Sequence, residues 1–507
     1  MSEKDYIIAM EKGQSKDLLK DELTAEAGND YVPARSVDVV YSRDGSKRHF
    51  NMALTDEEAE TLRSDPRVNS VHTPIEWSDD FLDFEYNHRN NWERQSANTN
   101  QNNWGLLRHI EATNGWGSSV TSQRETLKYT GHLDGEGVDL VVHEGNTARY
   151  DHEQFAGRYN QLQWNTLPNM SGASTINYTS SDSYGYHATH VLGTMGGATV
   201  GWAPKAQLYS MPADATDGIG NSTWWFDAVK EFHKNKSVDP TTGYRRPTVV
   251  NMSWGYKTYH FYSGVSLVTN INYRGTSTGA TAASSSYGLI GDGSNRINCP
   301  IYGLQSEVEE MQDEGIIVTK SAGNQYQKLD VEGGIDYDNY FTSSATQGNI
   351  TAGDPLYYNR GASNIGEHTI VVGNMDSQLY SYSEATATSS EKGPRVDVWA
   401  AGTDIVSSHD YSSNSYANLD GTSMAAPQVA GMAALLMQMN PGMTPKQVRE
   451  WFINNAKTGL MYVGDTDNTS YFTNNRNLQD GSGRIAYWPF SDHRPINLSV
   501  NTEYVSF

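Results

Sequence analysis

A chain of 507 residues with 37% hydrophobic content is long enough for two or three domains with sizeable cores. Sixty acidic side chains against 37 basic ones give a formal charge of −23, which argues against nucleic acid or an anionic membrane surface as the main partner. A single cysteine, Cys299, excludes an intrachain disulfide and any cysteine metal cluster and reads as structural. No apolar run approaches the roughly 20 residues of a membrane span.

Residues 1–75 read as a small α+β unit. Asp5–Met10, Val37–Tyr41, His49–Leu54 and Arg67–Thr73 carry strand patterns, and Ser15–Ala27 a helix pattern with Leu18, Leu19 and Leu23 on one face. Thr55-Asp56-Glu57-Glu58 is a capping box opening a second helix. The order β-α-β-β-α-β predicts a ferredoxin-like split βαβ arrangement, with one sheet face left to dock on a partner surface. Residues 76–101 are polar, without periodicity, and read as a linker into a domain spanning 102–507.

From about Gly137 short β-rich runs alternate with helical patterns. Strands are predicted at Val138–Val142, Ala206–Met211, Pro247–Met252, Gly315–Lys320, His368–Gly373 and Arg395–Ala400. Helices are predicted at Ser222–Lys234, Glu307–Glu314 and along the apolar stretch after Gly421. Thr444-Pro445-Lys446-Gln447 is a capping box with proline at the first helical position, opening a helix expected to end at Gly459. The alternation predicts an α/β three-layer sandwich with a mainly parallel central sheet covered on both faces. Ligands in that class bind beyond the carboxyl ends of the strands. Two long polar stretches, 256–300 and 327–362, break the rhythm and read as insertions, near the substrate face or at the periphery.

Ser423 lies where the apolar helix begins, behind Gly421. It reads either as a helix cap or as a nucleophile facing the first-turn N–H groups. A serine nucleophile needs a base, an acid orienting that base, and donors for the oxyanion. His187 and His190 stand three residues apart in Tyr186–Thr194. A metal pair at that spacing would lack the acidic companions of a zinc helix, which leaves catalytic and structural roles.

Gly421–Pro427 matches the Gly-Thr-Ser-Met-Ala-x-Pro nucleophile motif of the subtilisin-like serine proteases, and further segments resemble that family in the same order. His187–Thr194 resembles its His-Gly-Thr-His-Val-Ala-Gly-Thr motif, with Ala188 and Leu192 as departures. Trp202–Ala206 resembles the Val-Ala-Pro segment, Val250–Gly255 the substrate-binding Asn-Met-Ser-Leu-Gly strand, and Ser321–Asn324 the segment carrying the oxyanion asparagine. The resemblance implies Ser423 as nucleophile, His187 as general base and acid, and Asn324 with the Ser423 N–H as oxyanion donors. It implies Ser253, Trp254 and Gly255 as substrate-binding residues, with Trp254 and Tyr256 as a candidate aromatic wall. For the acid, alignment on the strand Val138–Asn146 gives Glu144. Alignment backward from Asp151–Phe155 gives Gly145, and only an indel reconciles the two. Glu144 is the preferred acid and Asp151 the fallback.

The N-terminal unit resembles the family's inhibitory propeptide at Tyr6–Met10 and Leu62–Val71. That implies a self-inhibited precursor cleaved within about residues 76–100; a permanently docked domain is the alternative. The implied function is a serine endopeptidase acting on proteins or peptides, with its own N-terminal domain as intramolecular inhibitor. The competing reading is a catalytically impaired structural or binding protein on the same scaffold. No cofactor is required for the chemistry, and structural calcium is compatible with the family, without assignable ligands. The opening residues show no secretory pattern, so cytoplasmic synthesis is expected, with a virion-borne protease left open.

Overall fold

The computed structural model describes residues 3–25, 36–42, 45–72, 103–110, 133–160, 162, 166–170, 184–213, 224–255, 257–259, 268–279, 284–289, 296–344, 351–362, 365–464 and 476–490. The expected linker and cleavage region, and Tyr256, lie outside them.

The N-terminal unit comprises β1 (Lys4–Met10), α1 (Lys16–Thr24), β2 (Val39–Tyr41), β3 (His49–Leu54), α2 (Asp56–Leu62) and β4 (Val68–His72). The sheet order is β2-β3-β1-β4, with β1 antiparallel to both neighbours, the ferredoxin-like arrangement. Both bonds of the Thr55/Glu58 capping box form and start α2. Strand β1 is apolar at consecutive positions because both its faces are covered. Tyr6, Ile8 and Met10 join the unit's own core, while Ile7, equally buried, faces the rest of the chain. A Cβ placed on Gly303 would lie 3.7 Å from Ile7.

The following elements, in order, are α3 (Trp104–Arg108), β5 (Asp139–Glu144), β6 (Tyr159–Asn160), α4 (Tyr186–Gly196), β7 (Gln207–Pro212), α5 (Trp224–Lys234) and β8 (Thr248–Met252). Then come β9 (Lys257–Tyr259), β10 (Val268–Tyr273), β11 (Thr276–Ser277), β12 (Arg296–Asn298), α6 (Tyr302–Asp313), β13 (Ile317–Ser321), β14 (Tyr340–Ser343) and β15 (Leu356–Tyr357). The last are β16 (Ile370–Met375), β17 (Val398–Ala401), β18 (Ile405–His409), β19 (Ser415–Leu419), α7 (Thr422–Met439) and α8 (Pro445–Asn455).

Seven strands form a parallel sheet in the order β17-β16-β13-β8-β5-β7-β6. Strands β5, β8 and β13 are buried throughout, as befits a sheet covered on both faces. On one side α4 and α7 build the larger core with Leu140, Val249, Ile317 and Val372. On the other, α5 and α6 pack Trp225, Val229, Leu304 and Val308 against Val141, Val250 and Val318. Helices α4 and α7 approach closely: a Cβ on Gly431 would lie 2.4 Å from Trp202 Cβ and 2.7 Å from the Met195 carbonyl.

Three expectations are corrected. Helix α6 begins at Tyr302 rather than Glu307, because Tyr302–Ser306 continues the apolar face with Leu304 buried beside Val308. Helix α8 stops at Asn455, since Ala456 adopts extended backbone three residues before the expected stop at Gly459. The two insertions are not separate loops: β10 of the first pairs with β14 of the second. Together they enclose a small core of Val268, Ile271, Leu289, Ile297, Cys299, Phe341 and Tyr358. The hairpin β18–β19 was not anticipated; Ser407 and Ser408 on it donate to the α4 carbonyls of His190 and Thr189 at 2.9 and 2.8 Å.

Candidate active site

Parallel strands bring their carboxyl ends to one edge of the sheet, and there β5, β8 and β13 deliver Glu144, Ser253 and the 321–325 loop side by side. Glu144 is the last residue of β5. Its Oε2 accepts from His187 Nδ1 at 2.9 Å, and its Oε1 accepts the backbone N–H of Ser253 at 3.0 Å. Both oxygens are therefore engaged, on a side chain 4% exposed. The Nδ1 bond sets the imidazole so that Nε2 carries the lone pair in the neutral ring.

Ser253 also touches Ser423. Its Oγ donates to the Ser423 carbonyl at 2.9 Å, and its own carbonyl accepts from Ser423 Oγ at 3.1 Å. The motif's proline explains the first contact. Pro427 is four residues beyond Ser423 inside α7 and has no N–H, so it cannot take the Ser423 carbonyl in the usual helical bond. That carbonyl is left for the Ser253 hydroxyl. Gly421, at φ 145°, caps the helix, so Ser423 is its second residue and not its cap. His187, Glu144, Ser253 and Ser423 are thus joined by a continuous set of hydrogen bonds across two strands and two helices.

Asn324 follows β13. Its Oδ1 accepts from Thr422 N and Thr422 Oγ1, both at 3.0 Å, which ties the loop to the start of α7 and fixes the amide's orientation. With the oxygen used twice, the Nδ2 amino group is the end that faces away from Thr422. The Thr422 hydroxyl also accepts the Gly323 N–H at 3.2 Å.

The fallback acid is elsewhere: Asp151 pairs with Arg149 at 2.7 and 3.1 Å and is partly exposed. His190 Nε2 donates to the Ile405 carbonyl at 2.9 Å, and burial lowers its pKa to about 3, so it serves as a neutral core histidine. Trp254 is buried and donates from Nε1 to His143 Nδ1 at 3.1 Å; burial lowers the His143 pKa to about 3. Sequence reading missed His143, whose signal was a histidine in an apolar strand one residue before Glu144. It also missed Lys320. That lysine lies mid-sheet between Met252 and Val371, its Nζ donating to Ser321 O at 2.7 Å and Ser321 Oγ at 3.0 Å. Burial lowers its pKa to about 7, against the opposing pull of the Glu391 and Glu144 carboxylates. The signal was a lysine inside an otherwise uncharged strand, Ile317–Ser321.

Residues 136–483 match the subtilase family. The chain belongs to that family. Alkaline serine exoprotease A of Vibrio alginolyticus is 26% identical over 428 residues, covering 84% of this chain and 58% of that protein. Subtilisin DY of Bacillus licheniformis is 27% identical over 303 residues, covering 59% of this subtilase and 78% of the relative. The crystal structure of a cold-adapted subtilisin-like serine proteinase aligns at 21% identity with a TM-score of 0.45, over 76% of this chain and 98% of that one. Against the exoprotease and a subtilisin-like protease of Pseudogymnoascus destructans, the chain spans only 58% and 60% of the relative's length. The three-layer sandwich around a parallel sheet is the subtilisin-like fold.

Proposed function

We propose that this subtilase is a serine endopeptidase working through an acyl-enzyme. Ser423 Oγ leaves the Ser253 carbonyl by rotation about its Cα–Cβ bond and attacks a peptide carbonyl. His187 Nε2 takes its proton and passes it to the leaving amine. Glu144 holds the Nδ1–H and stabilises the imidazolium. The oxyanion is received by Asn324 Nδ2 and the first-turn N–H of Ser423. Water then enters by the reverse path, with His187 as base. Extended substrate lies along Ser253-Trp254-Gly255. The observation that carries this reading is the 2.9 Å bond between His187 Nδ1 and the Glu144 carboxylate, on a scaffold of this family. Hydrolysis of a denatured protein by the wild type and by Ser423→Ala tests it. Loss of turnover in the variant is expected; equal residual activity in the two sinks it.

The N-terminal unit is read as an intramolecular inhibitor. What supports this is its seat on the catalytic domain's helices α5 and α6. Ser46 Oγ donates to Glu307 at 2.8 Å, Lys47 N to Glu310 at 3.1 Å, and Arg48 pairs with Glu309 at 2.9 Å. N-terminal sequencing after prolonged incubation is expected to reveal a new start within 76–100; an uncut chain counts against processing. No metal enters the mechanism. Among the described residues no group of three or more His, Cys, Asp or Glu side chains converges as an ion site. The acidic loop at 330–336 does not fit calcium, because the Lys328 ammonium already holds Asp336 and Asp480 at 2.8 Å and Arg274 takes Asp336 at 2.7 Å.

A further inference from the structure

The two insertions leave the fold from the two strands that flank the candidate cleft: the first after Gly255, beyond β8, the second after the Asn324 loop, beyond β13. The first returns as β12, antiparallel to β9, with Asn298 opposite Lys257 at the foot of this stem. Asn298 is fully buried. A buried amide must find its partners within the protein, and the Asn298 Nδ2 finds both of its partners beside the oxyanion loop. Its backbone N–H donates to Gln327 Oε1 at 3.1 Å. Its Nδ2 donates to Gln325 Oε1 at 2.5 Å and to the Glu391 carboxylate. Gln325 Oε1 accepts in addition the backbone N–H of Asn324 at 3.0 Å.

Glu391 closes the arrangement from below. Its backbone N–H donates to the Gly323 carbonyl at 2.8 Å. Its carboxylate lies so near Gly323 that a Cβ there would come within 2.4 Å of Oε1. Gly323 has φ +122°, a backbone conformation suited to glycine, so the carboxylate abuts the one residue of the loop without a side chain. The loop is therefore gripped twice: by Thr422 on the Asn324 side chain and the Gly323 N–H, and by Gln325 and Glu391 on its backbone, with Asn298 bridging the side chains of those two.

We propose that Asn298 is a positioning residue for the oxyanion loop, brought in by the first insertion and acting on turnover through Asn324 without touching substrate. The proposal rests on the reading of Asn324 as an oxyanion donor. Such donors work because they are held in place before charge develops, and displacements of about 1 Å are enough to cost orders of magnitude. Thr422 fixes the end of the Asn324 side chain and the Gly323 N–H, but not the Asn324 N–H. The backbone N–H depends on Gln325 Oε1, and the Gln325 side chain is oriented by Asn298 Nδ2. Removing that amide frees Gln325 to turn and takes a donor from the buried Glu391 carboxylate, loosening both sides of the loop at once. The insertion is then part of the catalytic framework rather than a peripheral ornament.

The test is a double-mutant cycle on a chromogenic peptide, with rates normalised to sites titrated by a serine-reactive acylating probe. Asn324→Ala is expected to lower kcat about 10²–10³-fold, the usual cost of one oxyanion donor. Asn298→Ala is expected to lower kcat per titrated site roughly 10-fold with KM within about twofold, and to add no further loss in the Asn324→Ala background. Gln325→Ala, which removes the acceptor of the Asn324 N–H and leaves the insertion untouched, should reproduce the loss and stands in if Asn298→Ala does not fold. Ser277→Ala, on the exposed hairpin of the same insertion, should leave kcat unchanged. A purely structural Asn298 would lower the number of titrated sites or the melting temperature but not kcat per site. That result, or losses that multiply with Asn324→Ala, overturns the proposal. If Asn324→Ala itself keeps full kcat, the oxyanion assignment falls and this proposal falls with it; Ser423→Ala reports separately on the nucleophile.

Discussion

Glu144→Gln is the most informative single change in the candidate site, because it preserves volume and removes one acceptor. In the wild type two donors meet two oxygens: His187 Nδ1–H on Oε2 at 2.9 Å and Ser253 N–H on Oε1 at 3.0 Å. A glutamine has one oxygen to offer. If it faces His187, the new NH2 opposes the Ser253 N–H, two donors confronted in a buried site, at a cost of about 1–3 kcal/mol. If it faces Ser253, the NH2 donates to Nδ1 and forces the proton onto Nε2, where it blocks uptake of the Ser423 proton. Either way the imidazolium loses its carboxylate. The corresponding Asp→Asn change in a serine triad lowers kcat about 10⁴-fold, which at 1.36 kcal/mol per tenfold is roughly 5.5 kcal/mol of barrier. The assay is steady-state hydrolysis of a chromogenic peptide by purified wild type, Glu144→Gln and Asp151→Asn. The last should match wild type, since Asp151 is half-exposed and bound to Arg149. A Glu144→Gln variant within tenfold of wild type, or an Asp151→Asn variant that loses as much, refutes the reasoning.

Two further outcomes concern stability. Gly431→Ala forces a methyl to within 2.4 Å of Trp202 Cβ and 2.7 Å of a backbone carbonyl, neither of which can swing aside. About 1–3 kcal/mol of destabilisation is expected, read as a lower urea midpoint; an unchanged midpoint would mean that α4 and α7 separate without strain. Acid should also weaken the fold. His143 and His190 have pKa values lowered by burial from 6.5 to about 3, so they stay neutral in the native state while the unfolded chain protonates them. Their stabilising contribution is complete above pH 6.5 and shrinks as pH falls toward 3, by about 1.4 kcal/mol per pH unit for each. Urea unfolding at pH 7, 6 and 5 should show this slope, and His143→Phe should remove about half of the pair's share; an identical slope in that variant would contradict it.

The sheet and the Ser423 helix were legible because local chemistry decides them. Runs such as Thr248–Met252 are apolar at every position, and the Thr55 and Thr444 boxes announce their helices. The pairing of the two insertions was not legible, since β10 and β14 lie about seventy residues apart and their contact is a tertiary event. The β18–β19 hairpin escaped for a related reason: its serines look like loop residues until α4 supplies carbonyls for them. Motif order singled out Ser423, His187 and Asn324 as candidates. It was ambiguous at the acid, where strand and downstream anchor disagree by one residue, and it was silent about Asn298, Glu391 and Lys320, whose partners come from distant segments. Ser253 was read only as a substrate contact, yet its N–H, carbonyl and hydroxyl all bind other site residues.

The seat of the N-terminal unit has a chemistry that bears on release. Lys230, buried between α5 and α6, pairs with Asp227, Glu307 and Glu310 at 3.0, 2.8 and 2.7 Å, one cation serving three carboxylates. The N-terminal unit adds contacts here: His49 pairs with Glu307, and the Lys16 ammonium rests on the Ser46 carbonyl nearby. Burial works against the Glu307 charge, but His49 and Lys230 outweigh it and hold its carboxyl below the ordinary range. Burial and the neighbouring Glu307 charge push Glu310 up. An interface of this kind discriminates well, because a wrong partner leaves buried carboxylates uncompensated. It gains little net strength, because desolvating those charges offsets most of their attraction. Covalent continuity then matters: while the chain is intact the unit binds at an effective concentration set by its tether, and cutting within 76–100 removes that advantage without altering a single contact. A seat of this kind fits the inhibitor role proposed above, whereas a permanently retained domain would be expected to bury apolar surface in place of three carboxylates.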